Sequence, residues 1–580
     1  METEVYNMRD DVSLIERFLD SRGLTKETYD EIDRPYDDKL MCIDDLVERL
    51  HGVHEAHDKI VILPDFDMDG IMSGVIGRAG LAELGFDVEL FIPSTGGYGF
   101  DRDEVARLVQ EHPGAKVVMT CDVGIAEVEG CRAIHDAGLR LFVTDHHQEV
   151  ASDSVRDFAE VVVDPCALDE TYRLREICGA HVMWQVVMEY ARTYCTADVC
   201  ERIWRLRAFA GIGTVSDIML LEHQNRQLVR DAVSMCRVAY SGGDNWFIKI
   251  LDGCETYRRA MNGLFEICDC FARHKVLTSV ERIDESFFGF YVAPTFNSCK
   301  RLDAPMSLAF DVFFGDKPDD AMEQLFFLNE KRKQLIEQTL AVVRDSHCPY
   351  EPFAYVLQNA QGGVLGPVAQ KQSEVSGLPC VVLNYNPDKG TFGGSGRSPD
   401  WYPFQSRVTA AGFWVRGHEG AFGIRFSSKD ELDAFYKFIV EDVREVLAEI
   451  AEAGGEEQHE EKFDFTIDTR GKGDIALDLD EFMLFCDELQ AYRPFGRGFE
   501  EPKIALRFDA GEAQVKRIGR PNPVHFKFVL PYGFSVMCFH QARLLDDHDV
   551  IGPQLVVGTL DINEWMGKRS PQFRGKWRVD

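Results

Sequence analysis

The sequence contains no long apolar run, and none of its hydrophobic segments approaches the roughly 20 residues that a membrane-spanning helix requires. We therefore expect no membrane association. Basic residues are also scarce, since 63 Lys and Arg stand against 98 Asp and Glu and give a net charge of −35. This balance argues against broad, sequence-independent binding of nucleic acid, because phosphate binding requires clustered Lys and Arg. The negative net charge is still compatible with a local basic groove, or with bound metal ions that supply the positive charge for binding a phosphate.

The sequence also lacks the regular cysteine spacing of a disulfide-rich secreted protein, and we expect no secretory leader. Its 16 cysteines follow no repeat, and several, such as Cys178 and Cys236, lie in apolar segments as reduced core thiols do. The amino terminus is acidic and has no basic-then-apolar layout. We expect a cytoplasmic protein without disulfides. Cys268 and Cys270 form a CxC without a second pair, which is more typical of an ordinary helix face than of a zinc site.

The stretch Lys59–Gly80 contains the most informative pattern of the chain. A short apolar run is followed by Asp65, Asp67 and Asp69 and then by a helical pattern. A buried parallel strand would gather these carboxylates at its carboxyl end, where open α/β sheets bind ligands. Three such charges repel one another unless a cation neutralises them, and hard oxygen ligands suit Mg²⁺ or Mn²⁺ better than Zn²⁺. For this stretch taken alone, a solvated acidic turn is an equal alternative.

Further apolar runs along the chain also end in acids or histidines. One run ends in Asp122, and another ends in Asp145, His146 and His147. The segment GIGTVSD ends in Asp217. Strands that alternate with helical stretches predict a doubly wound, mostly parallel α/β sheet, in which the carboxyl ends of the strands meet at one edge. Several carboxylates and an imidazole at one edge are what two divalent cations need.

The segments PDFDMDG, TCDVGI, TDHHQE and GIGTVSD together resemble the DHH phosphoesterase superfamily, whose Asp-His-His stands at residues 145–147. GYGF, ICGAHV, APTFNSCKRLDA and LNEKRK are similar to RecJ-type single-strand-specific exonucleases. SGRSPDWYPF and RGHEGAFG resemble the associated DHHA1 substrate-binding domain, and RPFGRGFEEP and NEWMGK resemble the RecJ oligonucleotide-binding barrel. The chain departs from the RecJ-type pattern in two places: it has Arg416-Gly417-His418 where GGH is usual, and Lys300-Arg301 where a Gly-Arg pair is usual.

The resemblance implies the domain order of the chain. We expect a doubly wound DHH domain, a second, DHHA1-like α/β domain and an OB-like β-barrel, which sequence alternation predicts to be antiparallel. The expected boundaries are 1–50 for an amino-terminal helical cap, 51–305 for the catalytic DHH domain, 306–345 for a connecting helix, 346–454 for the DHHA1-like domain and 455–580 for the barrel.

The resemblance also implies roles for the site residues. Asp65 and Asp67 would hold one cation, Asp69, His146 and Asp217 the other, and Asp122 would bridge both. His147 would face the scissile phosphate, while Asp145 would orient the histidines from behind. Two cations, Mn²⁺ or Mg²⁺, would activate water and neutralise the phosphorus centre. The substrate backbone would contact Asn297, Arg301, Ser395, Gly396, Arg397, Ser398 and His418. For residues 395–398 the alternative is a polar turn with a surface arginine, and a similar alternative holds for His418.

The expected function is a metal-dependent exonuclease that degrades single-stranded DNA to mononucleotides in repair and recombination. Its 5′ to 3′ polarity follows from the resemblance alone. We expect a monomer whose partners are single-stranded DNA and, beyond it, a single-strand-binding protein or a helicase. One alternative is a DHH phosphodiesterase for short oligonucleotides or cyclic dinucleotides, and another is an inactive single-strand-binding scaffold.

Four aromatic residues of the expected barrel are Phe526, Phe528, Phe534 and Trp565. They would either stack on the bases of a single strand or form the core of the barrel.

Overall fold

The structure is a computed structural model of the 580-residue chain. It describes residues 5–6, 12–93, 99–149, 154–242, 252–346, 348–452, 462–470, 478–519, 523–565 and 568–579. The described residues form two compact units. The first comprises the residues up to 37, residues 220–230 and those from 462 onward, and the second comprises 38–219 and 231–452. Residues 1–50, which we expected to form one cap, thus divide between both units.

The second unit contains a five-stranded sheet in which all strand pairs are parallel. Its strands, in spatial order, are Val88–Leu90, Lys59–Pro64, Ala115–Cys121, Arg140–Thr144 and Val161–Val163. The central strands are rich in Val and Ile and buried on both faces, as a parallel sheet covered by helices requires. The predicted doubly wound, mostly parallel sheet is confirmed.

Helices cover this sheet and extend beyond it. They are Ile43–Ala56, Met68–Glu83, Arg102–Glu111, Val128–Asp136, Gly179–Tyr194, Ala197–Arg205, Arg207–Ser216, Glu255–Arg273, Ser307–Phe314 and Pro318–Asp345, with short turns at Glu285–Phe287, Phe288–Val292, Ala293–Phe296 and Ser298–Arg301. A further helix, His223–Tyr240, begins in residues of the first unit. None of the helices described is both long and apolar enough to cross a bilayer.

The helix Met68–Glu83 is central to the packing because it is buried almost all round. Small residues on its surface allow this close packing. Gly80 lies against Val187 of the helix Gly179–Tyr194, where a Cβ would come within 3.0 Å of the valine side chain. The helix Arg207–Ser216 also packs against it. The residues that follow the first strand are therefore held by helices that come much later in the sequence.

A second sheet of the same unit is mixed, as expected for a second α/β domain. In spatial order its strands are Val415–Gly417, Ala421–Phe426, Thr391–Arg397, Cys380–Asn386 and Ala354–Gln358. Only Ala354–Gln358 and Cys380–Asn386 run parallel. The helices are Gly362–Ser376, Phe404–Ala410 and Lys429–Glu452. An aromatic core that includes Phe404, Phe422 and Phe435 packs between this sheet and its helices.

The first unit is built on an eight-stranded sheet. In spatial order the strands are Val5–Tyr6, Phe465–Asp468, Ile504–Asp509, Pro553–Trp565, Lys568–Arg578, Ser535–Cys538, His525–Val529 and Gln514–Ile518. Its helices are Leu14–Ser21, Lys26–Asp33, Leu479–Leu489 and Leu544–Asp547. The expectation of a purely antiparallel barrel is wrong, because three strand pairs are parallel. Alternating hydrophobicity predicts a strand but not its direction, and parallel neighbours need only a crossover such as the helix Leu479–Leu489.

The aromatic residues that we considered for base stacking belong to the core of this unit. Phe526 and Phe528 are fully buried, and Phe534 is 2% exposed. Phe526 and Phe528 contact Trp577 edge to face. The side chain of Trp565 lies outside the described residues. Of the two interpretations of the three phenylalanines, the core interpretation is therefore correct.

Candidate metal centre

The first and third strands of the chain's parallel sheet create the site. Val88–Leu90 follows Lys59–Pro64 in the sequence but lies on its far side from Ala115–Cys121, so the chain reverses its winding direction between the latter two strands. Open α/β sheets form their ligand crevice at such a switch point. Asp65, Asp67 and Asp69 follow Lys59–Pro64, and Asp122 follows Ala115–Cys121. The acids thus converge from both sides of the crevice.

Local geometry explains how the short acidic stretch turns. Asp67 caps the helix Met68–Glu83, since its Oδ1 accepts a hydrogen bond of 3.1 Å from the backbone N–H of Gly70. A Cβ at Gly70 would lie 2.5 Å from the carbonyl oxygen of Asp65, so this turn requires glycine. Asp122 adopts a positive φ of 64°, a conformation that costs energy for any residue other than glycine. Strain of this kind is common at functional sites.

Three groups of donor atoms meet in the crevice. The described residues include the groups Asp65, Asp67 and Asp122; Asp69, His146 and Asp217; and Asp122, His146 and His147, each with ligand atoms within 4.8 Å of one another. Nε2 of His146 lies 3.0 Å from Oδ1 of Asp122 and 3.6 Å from Oδ2 of Asp217. The structure therefore brings together all seven residues for which we expected a place at the cations or the scissile phosphate.

Asp145 lies behind the two histidines and fixes their positions. Its Oδ1 accepts hydrogen bonds from the backbone N–H of His146 at 2.7 Å and from Nδ1 of His147 at 2.7 Å. Its Oδ2 accepts a hydrogen bond of 2.8 Å from the backbone N–H of Ile125. Burial alone would raise the pKa of Asp145, but the hydrogen bond and charge of His147 lower it below its ordinary value. The ionised carboxylate thus orients the imidazole of His147 and holds the backbone of His146.

The sequence analysis assigned no role to several backbone groups that hold Asp69. Oδ2 and Oδ1 of Asp69 accept hydrogen bonds from the backbone N–H of Gly179 at 2.6 Å and of Ala180 at 3.2 Å. These donors begin the helix Gly179–Tyr194, whose partial positive charge favours an anion. Gly213 leaves the space that Oδ1 of Asp69 occupies. The motifs ICGAHV and GIGTVSD contain these residues. Gly179 and Gly213, the glycines of the two motifs that contact Asp69, were the feature of the sequence that could have indicated this role.

The carboxylates of the centre are strongly coupled to one another. Burial, followed by the charges of the neighbouring acids, raises the pKa of Asp65 and of Asp122 well above its ordinary value. For the same reasons the pKa of Asp217 rises to about 8. Burial lowers the pKa of His146. The pKa of His147 rises to about 10, because the hydrogen bond and charge of Asp145 outweigh the effect of burial.

One buried atom tests whether the residues present fit divalent cations. Oδ1 of Asp122 is buried and makes no hydrogen bond within the part of the chain that the structure describes, although Nε2 of His146 is only 3.0 Å away. A short distance without hydrogen-bond alignment is what two ligand atoms aimed at a common cation show. The other donors are mostly carboxylate oxygens, which suit Mg²⁺ and Mn²⁺. The donor set therefore fits two hard divalent cations.

The coupled carboxylates predict that the metal-free protein loses stability as pH rises. Since the folded-state pKa of Asp217 is about 8 instead of 3.8, the folded state keeps a proton that the unfolded state has released. The free energy of unfolding therefore decreases with pH between these values. We expect a lower urea midpoint at pH 8 than at pH 6 in a chelator, and a smaller difference in Asp217→Asn. Excess Mn²⁺ should reduce the difference, and an equal pH effect in the variant would contradict the assignment.

The predicted substrate-binding residues lie in two places. Asn297 lies between the short helices Ala293–Phe296 and Ser298–Arg301, and Arg301 is the last residue of the second helix. Lys300 of this helix lies over the ring of Phe66, and Oδ1 of Asn297 is buried without a hydrogen bond among the described residues. Ser395, Gly396, Arg397, Ser398 and His418 belong to the second sheet or its loops. The hydroxyl of Ser398 donates to the carbonyl of Tyr402 at 2.8 Å, and His418 is exposed. No contact described here joins this second group directly to the metal-centre residues.

The sequence analysis did not identify two basic side chains, those of Lys300 and Arg332, as residues of the site. Nζ of Lys300 lies 2.8 Å from the ring centroid of Phe66, the residue that stands between Asp65 and Asp67 in the sequence. Burial lowers the pKa of Lys300 to about 8, although Asp65 and Asp67 act in the opposite direction. Burial and the nearby charge of Arg301 lower the pKa of Arg332 to about 10. The motif LNEKRK contains Arg332, but nothing in its spacing distinguishes that residue from its basic neighbours.

Comparisons with known proteins agree with this site. The family model "DHH family, N-terminal domain" matches residues 59–208, and the model "RecJ OB domain" matches residues 474–576. The single-stranded-DNA-specific exonuclease RecJ of Bacillus subtilis is 24% identical over 542 residues, which cover 91% of this chain but only 62% of that relative. RecJ of Haemophilus influenzae is 24% identical over 568 residues, which cover 92% of this chain and 90% of the relative.

A solved structure shares the fold. The crystal structure of RecJ in complex with Mn²⁺ from Thermus thermophilus matches with a TM-score of 0.70 at 20% identity, covering 97% of this chain and 76% of that one. At this identity the match shows the fold alone. Together with the two matched family models, it confirms the resemblance stated above. The chain therefore contains a DHH-family amino-terminal domain at residues 59–208 and a RecJ OB domain at residues 474–576, and it is similar to RecJ exonucleases over most of its length.

Proposed function

We propose that the chain is a metal-dependent exonuclease that removes mononucleotides from single-stranded DNA in the 5′ to 3′ direction. The observation that carries the proposal is the convergence of five aspartates and two histidines at the switch point of the parallel sheet. Such a set is suited to a pair of divalent cations, which serve phosphodiester hydrolysis by activating water and stabilising both the attacking and the leaving oxygen. Relatives that match nearly the whole chain are named single-stranded-DNA-specific exonucleases, which supports the substrate class of the proposal.

The roles proposed for the chain's own residues follow from their contacts. Asp65 and Asp67 would hold one cation and Asp69, His146 and Asp217 the other, with Asp122 shared. Nδ1 of His147 donates to Asp145, whose hydrogen bond and charge raise the pKa of His147 and favour its protonated form, so His147 would donate a hydrogen bond to an oxygen of the scissile phosphate. No side chain of the centre needs to act as a covalent nucleophile.

A second set of contacts suits the backbone of the DNA. The helix Gly362–Ser376 begins beside two arginines: Gly363 lies directly against the backbone of Arg301, and a Cβ at Gly366 would come within 3.1 Å of the guanidinium of Arg397. A helix amino terminus and arginines both attract phosphate. Arg332 adds a third guanidinium near Arg301. We infer that this group binds a backbone phosphate, with Asn297, Ser395 and His418 as further contacts.

The proposal is tested with single strands labelled at one end. A 5′-phosphorylated strand with its label at the 5′ end should release the label as a mononucleotide in the first turnovers. The same strand labelled at the 3′ end should shorten progressively. Both reactions should require Mn²⁺ or Mg²⁺ and stop in a chelator. The matched duplex should be a poor substrate.

Two outcomes would overturn the proposal. Faster turnover of a dinucleotide or a cyclic dinucleotide than of the long strand would identify a small-substrate phosphodiesterase. Binding of the strand without hydrolysis, together with no calorimetric binding of Mn²⁺, would identify an inactive scaffold. The remaining expectations belong to the same proposal: a monomer that acts in the cytoplasm in repair and recombination, with a single-strand-binding protein or a helicase as a partner.

A further inference from the structure

A second group of metal-ligating side chains lies outside the centre described above. Cys270, His274 and Glu323 place their ligand atoms within 4.8 Å of one another. Cys270 belongs to the last turn of the helix Glu255–Arg273, and His274 is the residue that ends this helix, four positions later on the same face. Glu323 comes from the helix Pro318–Asp345, which packs against it. The group therefore joins two helices that are distant in the sequence.

The distances in this group are close to those of a coordinated cation. Nε2 of His274 lies 2.7 Å from Oε1 of Glu323, and Sγ of Cys270 lies 3.8 Å from Oε2 of the same carboxylate. Ligand atoms around a tetrahedral Zn²⁺ lie about 3.3–3.6 Å apart, given metal–ligand lengths of about 2.0–2.3 Å. Nε2 of His274 and Oε1 of Glu323 would therefore have to move apart by about 0.6 Å to admit the cation.

Neighbouring residues already orient the ligands. The imidazole of His274 stacks on the ring of Phe326, with the ring centroids 3.9 Å apart and an interplanar angle of 12°. Nη1 of Arg273 donates to Oε2 of Glu323 at 2.7 Å, which leaves Oε1 for a cation. Such outer contacts fix the direction of metal ligands and raise affinity. The thiol of Cys270 is buried, whereas the side chains of His274 and Glu323 are partly exposed, so a cation has an approach from solvent.

We propose that Cys270, His274 and Glu323 form a binding site for Zn²⁺, or a cation of similar softness, with water as the fourth ligand. Thiolate and imidazole select such a cation, whereas Mn²⁺ and Mg²⁺ prefer the oxygen-rich metal centre. Binding replaces the thiol proton of Cys270 with the cation and releases that proton to solvent. The bound cation fastens the helices Glu255–Arg273 and Pro318–Asp345 together. This site does not depend on the nuclease assignment.

The test uses the full chain, freed of metal and then supplied with excess Mg²⁺ to occupy the oxygen-rich centre. Wild-type protein should bind one Zn²⁺, and Co²⁺ in its place should produce the near-ultraviolet absorption of a cobalt–thiolate bond. Since loss of an outer contact alone weakens metal binding about 10- to 100-fold, Cys270→Ser should weaken Zn²⁺ binding by about 100-fold or more and abolish the absorption. Zn²⁺ should raise the melting temperature of the wild type and not of this variant.

The chain offers a matched control two residues away. Cys268 is also buried, but its Sγ lies 3.8 Å from the carbonyl of Cys236 and takes no part in the cluster. Cys268→Ser should keep the cobalt–thiolate absorption and the zinc affinity. His274→Gln, a change at a partly exposed position, should weaken zinc binding without unfolding the protein. Equal zinc binding by wild type and Cys270→Ser would show that the cluster is only an ion-pair network. Loss of the absorption in Cys268→Ser would show that the thiolate comes from Cys268, and this result would also overturn the proposal.

Discussion

Asp122→Asn is expected to reduce nuclease turnover by about 10³-fold or more, since loss of even one preorganised electrostatic group typically costs 10²–10³-fold. Asp122 contributes to the group with Asp65 and Asp67, and its Oδ1 lies 3.0 Å from His146 of the second group. An asparagine has the same shape but no charge, so neither cation would be neutralised in full. The measurement is release of mononucleotides from a labelled single strand over a range of Mn²⁺ concentrations.

Stability distinguishes a lost charge from a lost fold in this variant. Burial and the neighbouring acids raise the pKa of Asp122 well above its ordinary value, so the charge is unfavourable in the metal-free protein. We therefore expect Asp122→Asn to unfold at the same temperature as the wild type, or at a higher one, in a chelator. Asp136→Asn, at an exposed position of the same unit, should retain full turnover. Appreciable turnover by Asp122→Asn at any Mn²⁺ concentration would refute its proposed bridging role.

The metal-centre residues could be predicted from the sequence because of their position relative to the strands. Each of Asp65, Asp122 and Asp145 follows an apolar run, and the carboxyl ends of parallel strands share one edge. The pattern of apolar strands and the acids that follow them was therefore enough to place Asp65 and Asp145, which are 80 positions apart, in one site. Asp217 follows a helix instead, so the geometry of the parallel strands does not explain its place in the group.

Residues whose role depends on a contact between distant helices could not be found in this way. Glu323 has no local pattern that connects it with Cys270, and the CxC formed by Cys268 and Cys270 was interpreted as an ordinary helix face. The direction of the barrel strands escaped prediction for a related reason, because alternation reports burial and not pairing. Lys300 was visible as a departure from a family pattern, but its position over the ring of Phe66 follows from packing.

Gly213→Ala is expected to lower turnover by about 10²-fold, the typical cost of a misplacement of about 1 Å in an active site. A Cβ at Gly213 would collide with Oδ1 of Asp69 and lie 3.0 Å from the Cβ of Ala180. Asp69 cannot yield easily, because its carboxylate is held by the backbone N–H groups of Gly179 and Ala180. The methyl group would thus turn the carboxylate away from His146. Calorimetric titration should show weaker binding of Mn²⁺ to the variant.

A glycine of the same unit provides the control for this prediction. Gly52 lies inside the helix Ile43–Ala56, and a Cβ there would meet no atom within 4 Å. Gly52→Ala should therefore retain full turnover and Mn²⁺ affinity, and it should gain about 1 kcal/mol of stability from its higher helix propensity. If Gly213→Ala is folded yet binds Mn²⁺ as the wild type does, then Asp69 is not a ligand whose position sets the affinity. If instead only the Mn²⁺ affinity and the turnover fall together, the buried hydrogen bonds to Asp69 serve to aim it at the cation.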